Sequence, residues 1–242
     1  MTTIRGSGLL ALTTSVVVSA TYGQGVAQPT FFDLYGFFPG SFEGNPALRP
    51  ETSRGGEVSL RYRRGPLGAA LTAHRQRLRH EIVDIFAFPL STTANAEGIS
   101  RRQGFEVEAD YAPSDALRVS ANYAYLDASE PRGPSGSQVK EQRRPKHSGS
   151  VAMDGIQGRL SYGAAVAYTG AHLDSDFNVF PAQRVRLSAY WLANARLAYR
   201  LDDAIELHLR VANAFDERYQ DVVGYRTEGR SVHAGIRLNL GG

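Results

Sequence analysis

The sequence predicts an all-β fold, namely an antiparallel up-and-down transmembrane β-barrel region of about ten strands. The first observation is the alternation of apolar and polar residues through most of the chain, which is typical of strands with one apolar and one polar face. The second is the alternation of short turns with long loops. Outer-membrane barrels sort short periplasmic turns from long extracellular loops, whereas a soluble β-sandwich has no reason to do so.

The bulk composition excludes several classes of protein. No stretch of the 242 residues approaches the roughly 18 apolar residues of a membrane-spanning helix, but a lipid-facing strand needs only alternate apolar residues. The net charge of +3 is too small to indicate a nucleic-acid partner. The absence of cysteine excludes disulfides and thiolate metal sites.

The clearest hairpin is centred on Ser114, with aromatic and aliphatic residues alternating with charged ones on both sides of the turn. With that centre, Asp110 lies opposite Arg118 and Phe105 lies opposite Tyr123. Opposite charges then meet on the polar face and aromatic rings meet on the apolar face, and both arrangements stabilise a strand pair.

The same alternation defines the other elements in chain order. The predicted strands are 13–23, 57–63, 67–85, the hairpin at 99–127, 146–153, 160–168, 187–199, 205–211 and 232–240. The short turns fall at Gly65-Pro66, Ser114-Asp115, Asp154-Gly155 and Asp202-Asp203. The long loops are 24–53, 88–98, 129–144, 170–186 and 215–228.

The first twenty residues fit two descriptions. Arg5 followed by an apolar run resembles a secretory signal, whereas the alternation that begins at Val16 and continues to Tyr22 predicts a strand. We favour the strand because a family motif follows it directly.

Several short motifs share a characteristic order and spacing. They are the aromatic-rich loop from Pro29 to Gly36, Asn45-Pro46 with Leu48-Arg49-Pro50-Glu51, Asn213 with Phe215-Asp216 and Tyr219, and Gly224-Tyr225 with Gly229-Arg230. Together they resemble the C-terminal β-barrel half of a TonB-dependent outer-membrane receptor. The resemblance covers nearly the whole chain, and within the family it is closest to the cobalamin receptor (BtuB-like) branch.

The resemblance implies a barrel of about 22 strands around an N-terminal plug. Residues 1–242 are then the C-terminal part of the barrel, without the plug and without a recognisable TonB box. The chain ends Leu240-Gly241-Gly242, whereas family members usually finish on an aromatic residue that the barrel assembly machinery reads.

The implied function is uptake of cobalamin or a ferric siderophore across the outer membrane of a Gram-negative cell. The implied partners are outer-membrane lipid, the large nutrient ligand, the barrel assembly machinery and, only through the missing plug, TonB. Two alternatives stay open: a passive channel or structural outer-membrane protein, and a non-functional gene fragment.

Two sets of residues are candidates for contact with ligand or plug. The first is a concentration of aromatic residues in one long loop, which either grips a large amphipathic ligand or packs the loops over the barrel mouth: Phe31, Phe32, Tyr35, Phe37 and Phe38. The second is the set of polar-face residues expected to face the barrel lumen: Glu106, Glu108, Asp110, Arg118, Glu206, His208 and Arg210. The Asn45 and Glu51 motifs are expected to brace a loop.

No enzyme, cofactor or metal site is predicted. The six histidines do not fall in a metal-ligand spacing, and His147 and Ser148 point to opposite faces of one strand, so they cannot form a base–nucleophile pair. Asp174, Asp176 and Asn178 have the alternating oxygens of a calcium loop, but the Gly turn and the distal Glu are missing.

Overall fold

The structure, a computed structural model, describes residues 2–132 and 137–239. It contains one short helix, α1 (Phe31–Tyr35). The strands in chain order are β1 (Arg5–Ala11), β2 (Val16–Ala27), β3 (Phe37–Phe38), β4 (Phe42–Glu43), β5 (Glu51–Arg64), β6 (Leu67–Arg79), β7 (Ile82–Ile85), β8 (Thr92–Asn95), β9 (Ile99–Ser114), β10 (Leu117–Arg132), β11 (Ser137–Lys140), β12 (His147–Gln157), β13 (Leu160–Thr169), β14 (His172–Asp176), β15 (Gln183–Leu187), β16 (Tyr190–Arg200), β17 (Ile205–Ala212) and β18 (Ser231–Leu238).

One antiparallel sheet forms a wall. Its strand order is β1-β2-β5-β6-β9-β10-β12-β13-β16-β17-β18, with β11 paired to the far end of β10. Each wall strand therefore pairs with the next wall strand along the chain, as in an up-and-down barrel. Over the described residues the sheet does not close, and β1 and β18 are its two edges. The predicted antiparallel partial barrel is confirmed.

The connections between wall strands alternate as predicted. Residues 12–15, 65–66, 115–116, 158–159 and 201–204 connect consecutive wall strands by short turns at one end. The other five connections are long, and all the smaller strand pairs and α1 lie in them. In outer-membrane barrels such short turns are periplasmic and such long loops extracellular, so we expect the same two sides here. Among the described residues, no helix is long and apolar enough to span a membrane.

The apolar face of the wall is uncovered and edged by aromatic rings. Val58, Val151 and Ile236 are 53%, 55% and 64% exposed, which suits a surface that contacts lipid rather than water. Toward the loop end, Tyr168 packs on Trp191 at a ring-centroid distance of 4.6 Å. Other rings on this face continue the two aromatic bands, at the loop end Phe105, Tyr123 and Tyr125, and at the turn end Tyr62, Tyr111, Tyr162 and Tyr199.

The buried residues lie in the long loops more than in the wall. Leu48, Ala96 and Leu187 are buried there, as are the fully enclosed side chains of Thr93 and Asp174. The loops are therefore folded structures with small cores of their own.

The N-terminus forms a two-stranded hairpin and not the single strand that was predicted. Where one strand over 13–23 was predicted, β1 and β2 pair through Arg5–Gly23 to Ala11–Val17. All seven residues of β1 are exposed, because β1 is an edge strand with a partner on one side only. Because Leu9 and Leu10 are adjacent, β1 does not show the alternation of apolar and polar residues that is typical of a half-buried strand.

The turn predicted at Asp154-Gly155 is wrong, because β12 continues to Gln157 and the chain reverses at Gly158, whose φ is +59°. Both residues of the false turn have a role within the strand. Asp154 forms an ion pair with Arg196 at 2.7 Å. Gly155 leaves room for the Tyr162 ring, since a Cβ there would lie 2.3 Å from the Tyr162 Cζ.

The register of the central hairpin differs from the prediction by two residues. The turn residues are 115–116, and an irregularity between Leu117 and Val119 makes Asp110 face Ser120 and Phe105 face Tyr125. The aromatic contacts survive the shift, because the Phe105 ring lies 5.5 Å from Tyr125 and 5.9 Å from Tyr123.

Two other boundaries also move. The strand predicted to reach Ile85 ends at Arg79, next to His80 with a φ of +57°, and residues 82–85 start a separate loop hairpin. The strand predicted over 187–199 is split into the end of β15 and all of β16. The predicted end at Leu240, the terminal Leu240-Gly241-Gly242, and part of the 129–144 loop lie outside the described residues.

Candidate ligand-binding loops and polar face

The loop between β2 and β5 holds the predicted aromatic site on a short capped helix. The Thr30 hydroxyl accepts a hydrogen bond from the Asp33 N–H at 3.1 Å, and the Asp33 carboxylate accepts one from the Thr30 N–H at 2.8 Å. This capping box satisfies two backbone donors that α1 cannot pair internally. The helix ends where the Gly36 N–H donates to the Phe32 carbonyl at 2.8 Å.

The five predicted aromatic residues lie together and contact mainly rings of their own loop. Phe32 stacks on Phe42 with centroids 4.8 Å apart and lies 5.9 Å from Phe38, while Phe31 lies 5.2 Å from Tyr35. The predicted rings, Phe37 included, range from 48% exposed at Phe32 to 79% exposed at Phe31. The described part of the chain leaves this apolar surface facing solvent.

A second loop holds the aromatic loop in place, and we call residues 28–50 together with 80–98 the aromatic lobe. The Asn45 amide donates to the Thr93 carbonyl at 3.0 Å, and Asn95 accepts from the Arg49 N–H at 2.7 Å. Glu51 accepts from the Ile82 N–H at 2.7 Å. The expectation that Asn45 and Glu51 brace a loop is confirmed.

Two further rings of this lobe were not among the predicted residues. Phe86 and Phe88 lie in the connection between β7 and β8 and are 81% and 100% exposed. The same signal marks them as in the first loop. Aromatic residues are concentrated in a connection, where they do not belong to the apolar face of a strand.

Three other long loops meet at one buried carboxylate, and we call residues 137–146, 170–189 and 213–230 the anchored lobe. Asp174 accepts from the Arg143 Nε at 2.8 Å, from the Ser175 N–H at 2.9 Å and from the Val223 N–H at 2.8 Å. Burial raises the pKa of the Asp174 carboxyl, but these three donors outweigh it and hold that pKa below its usual range. Asp174 thus links its own loop to Arg143 and Val223, which are 31 and 49 residues away in the sequence.

A second carboxylate ties the anchored lobe to the wall. Glu141 accepts two hydrogen bonds from the Arg102 guanidinium, at 2.8 and 2.9 Å, and one from Arg144 at 3.1 Å. Burial opposes ionisation of Glu141, but the two arginines lower its pKa overall. Both carboxylates are therefore charged at neutral pH, and each accepts three hydrogen bonds.

These contacts replace the calcium arrangement that the spacing of Asp174, Asp176 and Asn178 suggested. Asp176 accepts from both the backbone and the side-chain nitrogen of Asn178 at 2.9 Å, while Asp174 is committed to its three donors. Across residues 2–132 and 137–239, no group of three or more His, Cys, Asp or Glu side chains is placed to hold a metal ion.

The seven predicted lumen residues share the polar face of the sheet. Cross-strand pairs place them on one face of the wall from β9 to β17. Asp110 faces Ser120, Arg118 faces Asp154, and Arg196 faces Arg210. Glu106 and Glu108 lie on the same face of β9 as Asp110. Arg118, Glu206, His208 and Arg210 line a hollow of about 540 Å³.

Two ion pairs on this face each cross an intervening strand above a glycine. Arg63 in β5 reaches over Gly68 to Asp110 in β9 at 3.2 Å. Arg196 in β16 reaches over Gly163 to Asp154 in β12 at 2.7 Å. A Cβ at either glycine would lie 2.4 Å from the carboxylate oxygen, so only glycine leaves the path open.

These ion pairs correct the expected partner of Asp110 from Arg118 to Arg63. Sequence reasoning missed the pairing, because period-two patterns relate adjacent strands and not strands two apart. A third pair joins Arg237 to Glu206 at 2.8 Å, and the His208 ring lies over Gly235. Each pair is exposed and contributes at most about 1 kcal/mol, so their main effect is a charged surface near the turn end.

Comparison with known proteins gives a consistent result. Residues 5–214 match the family model described as TonB dependent receptor-like, beta-barrel. Among solved structures, the chain is similar to the ferric-catecholate import receptor Fiu of E. coli K12 (21% identity, TM-score 0.75, covering 97% of this chain and 34% of that one). It is also similar to the Pseudomonas aeruginosa pyoverdine receptor FpvA (16%, 0.77, 97% and 35%) and ferric enterobactin receptor PfeA (20%, 0.73, 95% and 39%). The chain spans about a third of the length of these structures.

Proposed function

Since the chain belongs to the TonB-dependent receptor-like β-barrel family, we propose that it forms the C-terminal part of a barrel wall that captures a ferric siderophore. Members of this family are outer-membrane proteins of Gram-negative bacteria, and the uncovered apolar face fits that location. The observation that carries the ligand proposal is the aromatic lobe, whose five predicted rings are 48% to 79% exposed on the extracellular side.

The rings suit a large ligand with flat, apolar surfaces. Aromatic side chains bury much area and lose little conformational entropy, because their orientation is fixed by two side-chain torsions. The braces from Asn45, Asn95 and Glu51 pre-organise the lobe, so binding does not have to order it. The proposed role is binding and passage of the ligand, without catalysis.

The polar face supplies the other half of the proposed mechanism. We assign its seven predicted residues to the barrel lumen, where they contact water or a plug domain. Charged side chains already paired across glycines, such as Arg196 with Asp154, form a fixed pattern that a polar protein surface can complement. Energy from TonB then reaches the ligand through the plug and not through this wall, and the barrel assembly machinery inserts the wall.

Ferric siderophores are the first ligand to test, because the similar structures are receptors for a ferric-catecholate, pyoverdine and ferric enterobactin. Cobalamin, the ligand of the resembled branch, is the second. Each is titrated into the full chain folded in detergent while the fluorescence of Trp191 and the tyrosines is recorded. Saturable quenching by a siderophore and not by cobalamin is expected.

A matched pair of variants assigns the binding to the aromatic lobe. Phe31 and Phe215 are both 79% exposed, but only Phe31 belongs to the lobe. Phe31→Ala is expected to weaken binding about tenfold, the loss of one ring contact, and Phe215→Ala to leave it unchanged. Equal loss in both variants contradicts the assignment. Ion conductance without saturable binding favours the passive channel, and neither activity favours the gene fragment.

A further inference from the structure

Five arginines lie on the apolar face, beyond the aromatic residues at the loop end. They are Arg54 in β5, Arg75, Arg77 and Arg79 in β6, and Arg101 in β9. The register sets Arg54 opposite Arg77, and Arg77 opposite Arg101. We call these five residues the arginine patch. Their positions share parity with Val58, Leu71 and Phe105, so the patch belongs to the lipid-facing side.

The patch is electrostatically unbalanced. Directly opposite residues on neighbouring antiparallel strands have Cβ atoms about 4.5–5.5 Å apart, and like charges at that distance destabilise a sheet. Over residues 2–132 and 137–239, the five side chains form no ion pair and no side-chain hydrogen bond. The carboxylate of Asp127, on the same face of β10, is bonded to Lys140. The patch therefore lacks the anion that its geometry requires.

The depth of the patch corresponds to the lipid headgroups of the outer leaflet. Ala73 faces Phe105 of the aromatic band, and Arg75 and Arg77 follow it on the same strand. At about 3.3 Å per residue they lie about 7 and 13 Å beyond that band along the strand. Aromatic bands mark the boundary between hydrocarbon and headgroups, so the guanidinium groups lie in the headgroup layer.

The surface around the arginines is concave. A hollow of about 270 Å³ is lined by Tyr22, Arg54, Arg75 and Arg77 together with Gly55 and Gly56. Gly56, on the same face as Arg54 and opposite Tyr22, keeps its floor at backbone level. A tyrosine ring beside several guanidinium groups gives an apolar wall and multiple hydrogen-bond donors, which suits a phosphorylated sugar on an acyl-chain anchor.

We propose that the arginine patch binds the phosphate groups of the anionic glycolipid, lipopolysaccharide, that forms the outer leaflet. A guanidinium donates two parallel hydrogen bonds to a phosphate, and a phosphate between facing arginines converts their repulsion into attraction. The site is on the outside of the wall, on the face opposite to the seven predicted lumen residues. It is independent of which nutrient the receptor takes up.

The test measures binding of bisphosphorylated lipid A to the full chain in maltoside micelles. Arg75→Gln/Arg77→Gln removes two charges from the patch. Arg61→Gln/Arg64→Gln removes two from β5 near the turn end and is the matched control. With about a fivefold loss for each arginine, the patch variant is expected to bind about 25-fold more weakly, and the control as the unmodified chain does.

Further measurements distinguish recognition of phosphate from a folding defect or nonspecific binding. Monophosphorylated lipid A is expected to bind more weakly than the bisphosphorylated form, and free inorganic phosphate to compete only at millimolar concentration. Arg75→Lys/Arg77→Lys retains charge and is expected to recover part of the affinity, which a folding defect in the glutamine variant would not explain. Equal binding by the patch variant and the unmodified chain overturns the proposal, as does an equal loss in patch and control variants.

Discussion

A charge placed at the middle of the apolar face tests the membrane orientation of the wall. Val151 is the fifth of eleven residues in β12 and is 55% exposed on this face. Its strand neighbours Gly149 and Gly155 face Tyr168 and Tyr162, so Val151 lies between the two aromatic bands. An arginine at the bilayer midplane of an outer-membrane barrel costs about 2–4 kcal/mol. Val151→Arg is therefore expected to reduce the equilibrium constant for folding into the membrane by about 30- to 1,000-fold.

The next residue supplies the control. Ala152 lies on the polar face opposite Ser120 and Ala165, so an arginine there extends into water near Asp154. Both variants replace a small apolar residue of the same strand, and they differ only in the face they charge. The assay is the amount of chain in purified outer membranes and its resistance to urea extraction. Equal assembly of Val151→Arg and Ala152→Arg refutes the assignment of the faces.

Two other predictions concern the loop end. In intact cells, a membrane-impermeant maleimide is expected to label a cysteine introduced at Ser41, in the aromatic lobe, and not one at Ser114, the last residue of β9 before a short turn. Equal labelling contradicts the topology. Asp174→Asn is expected to destabilise the anchored lobe by about 2 kcal/mol, because Arg143 and two N–H groups lose their ionised acceptor. Because folding lowers the pKa of Asp174 and Glu141, their stabilisation is complete above their unfolded pKa of about 4 and is lost as pH falls through their folded values. Limited proteolysis between pH 7 and pH 3 is expected to show the loops opening only at the acid end, with less acid sensitivity in Asp174→Asn; cleavage that does not change with pH is the opposing result.

The alternation of the wall strands was predictable, because each lipid-facing strand repeats the same physical requirement at every second residue. The elements that were predicted wrongly either have no partner strand on one side or contain residues with a second role. The edge strand β1 pairs with a single neighbour, and Asp154-Gly155 has the composition of a turn but serves Arg196 and Tyr162 within a strand. Local propensity depends on the residue alone, whereas the conformation here is decided by the residues that it contacts on other strands.

The loop structure was predictable only in part. Exposed aromatic residues in a connection stand out in the sequence, which identified Phe31 and Phe38. The contacts that fold the lobes join side chains to distant backbone groups, as Asn45 to Thr93 and Asp174 to Val223 do. No periodic pattern encodes such pairs, so the sequence showed Asp174 and Asp176 only as an incomplete calcium-loop spacing and did not reveal the anchoring role of Asp174.

Uptake of radiolabelled iron by the cells that encode the chain tests the central claim most directly. Iron is supplied as a ferric siderophore to cells with the unmodified chain, with a chromosomal deletion of it, or with Phe31→Ala or Phe215→Ala. The account predicts that an uncoupler of the inner membrane abolishes the chain-dependent uptake. It also predicts loss of that uptake on deletion, a reduction with Phe31→Ala and none with Phe215→Ala. Uptake that is unchanged by the deletion, for every siderophore and for cobalamin, contradicts the proposed receptor function.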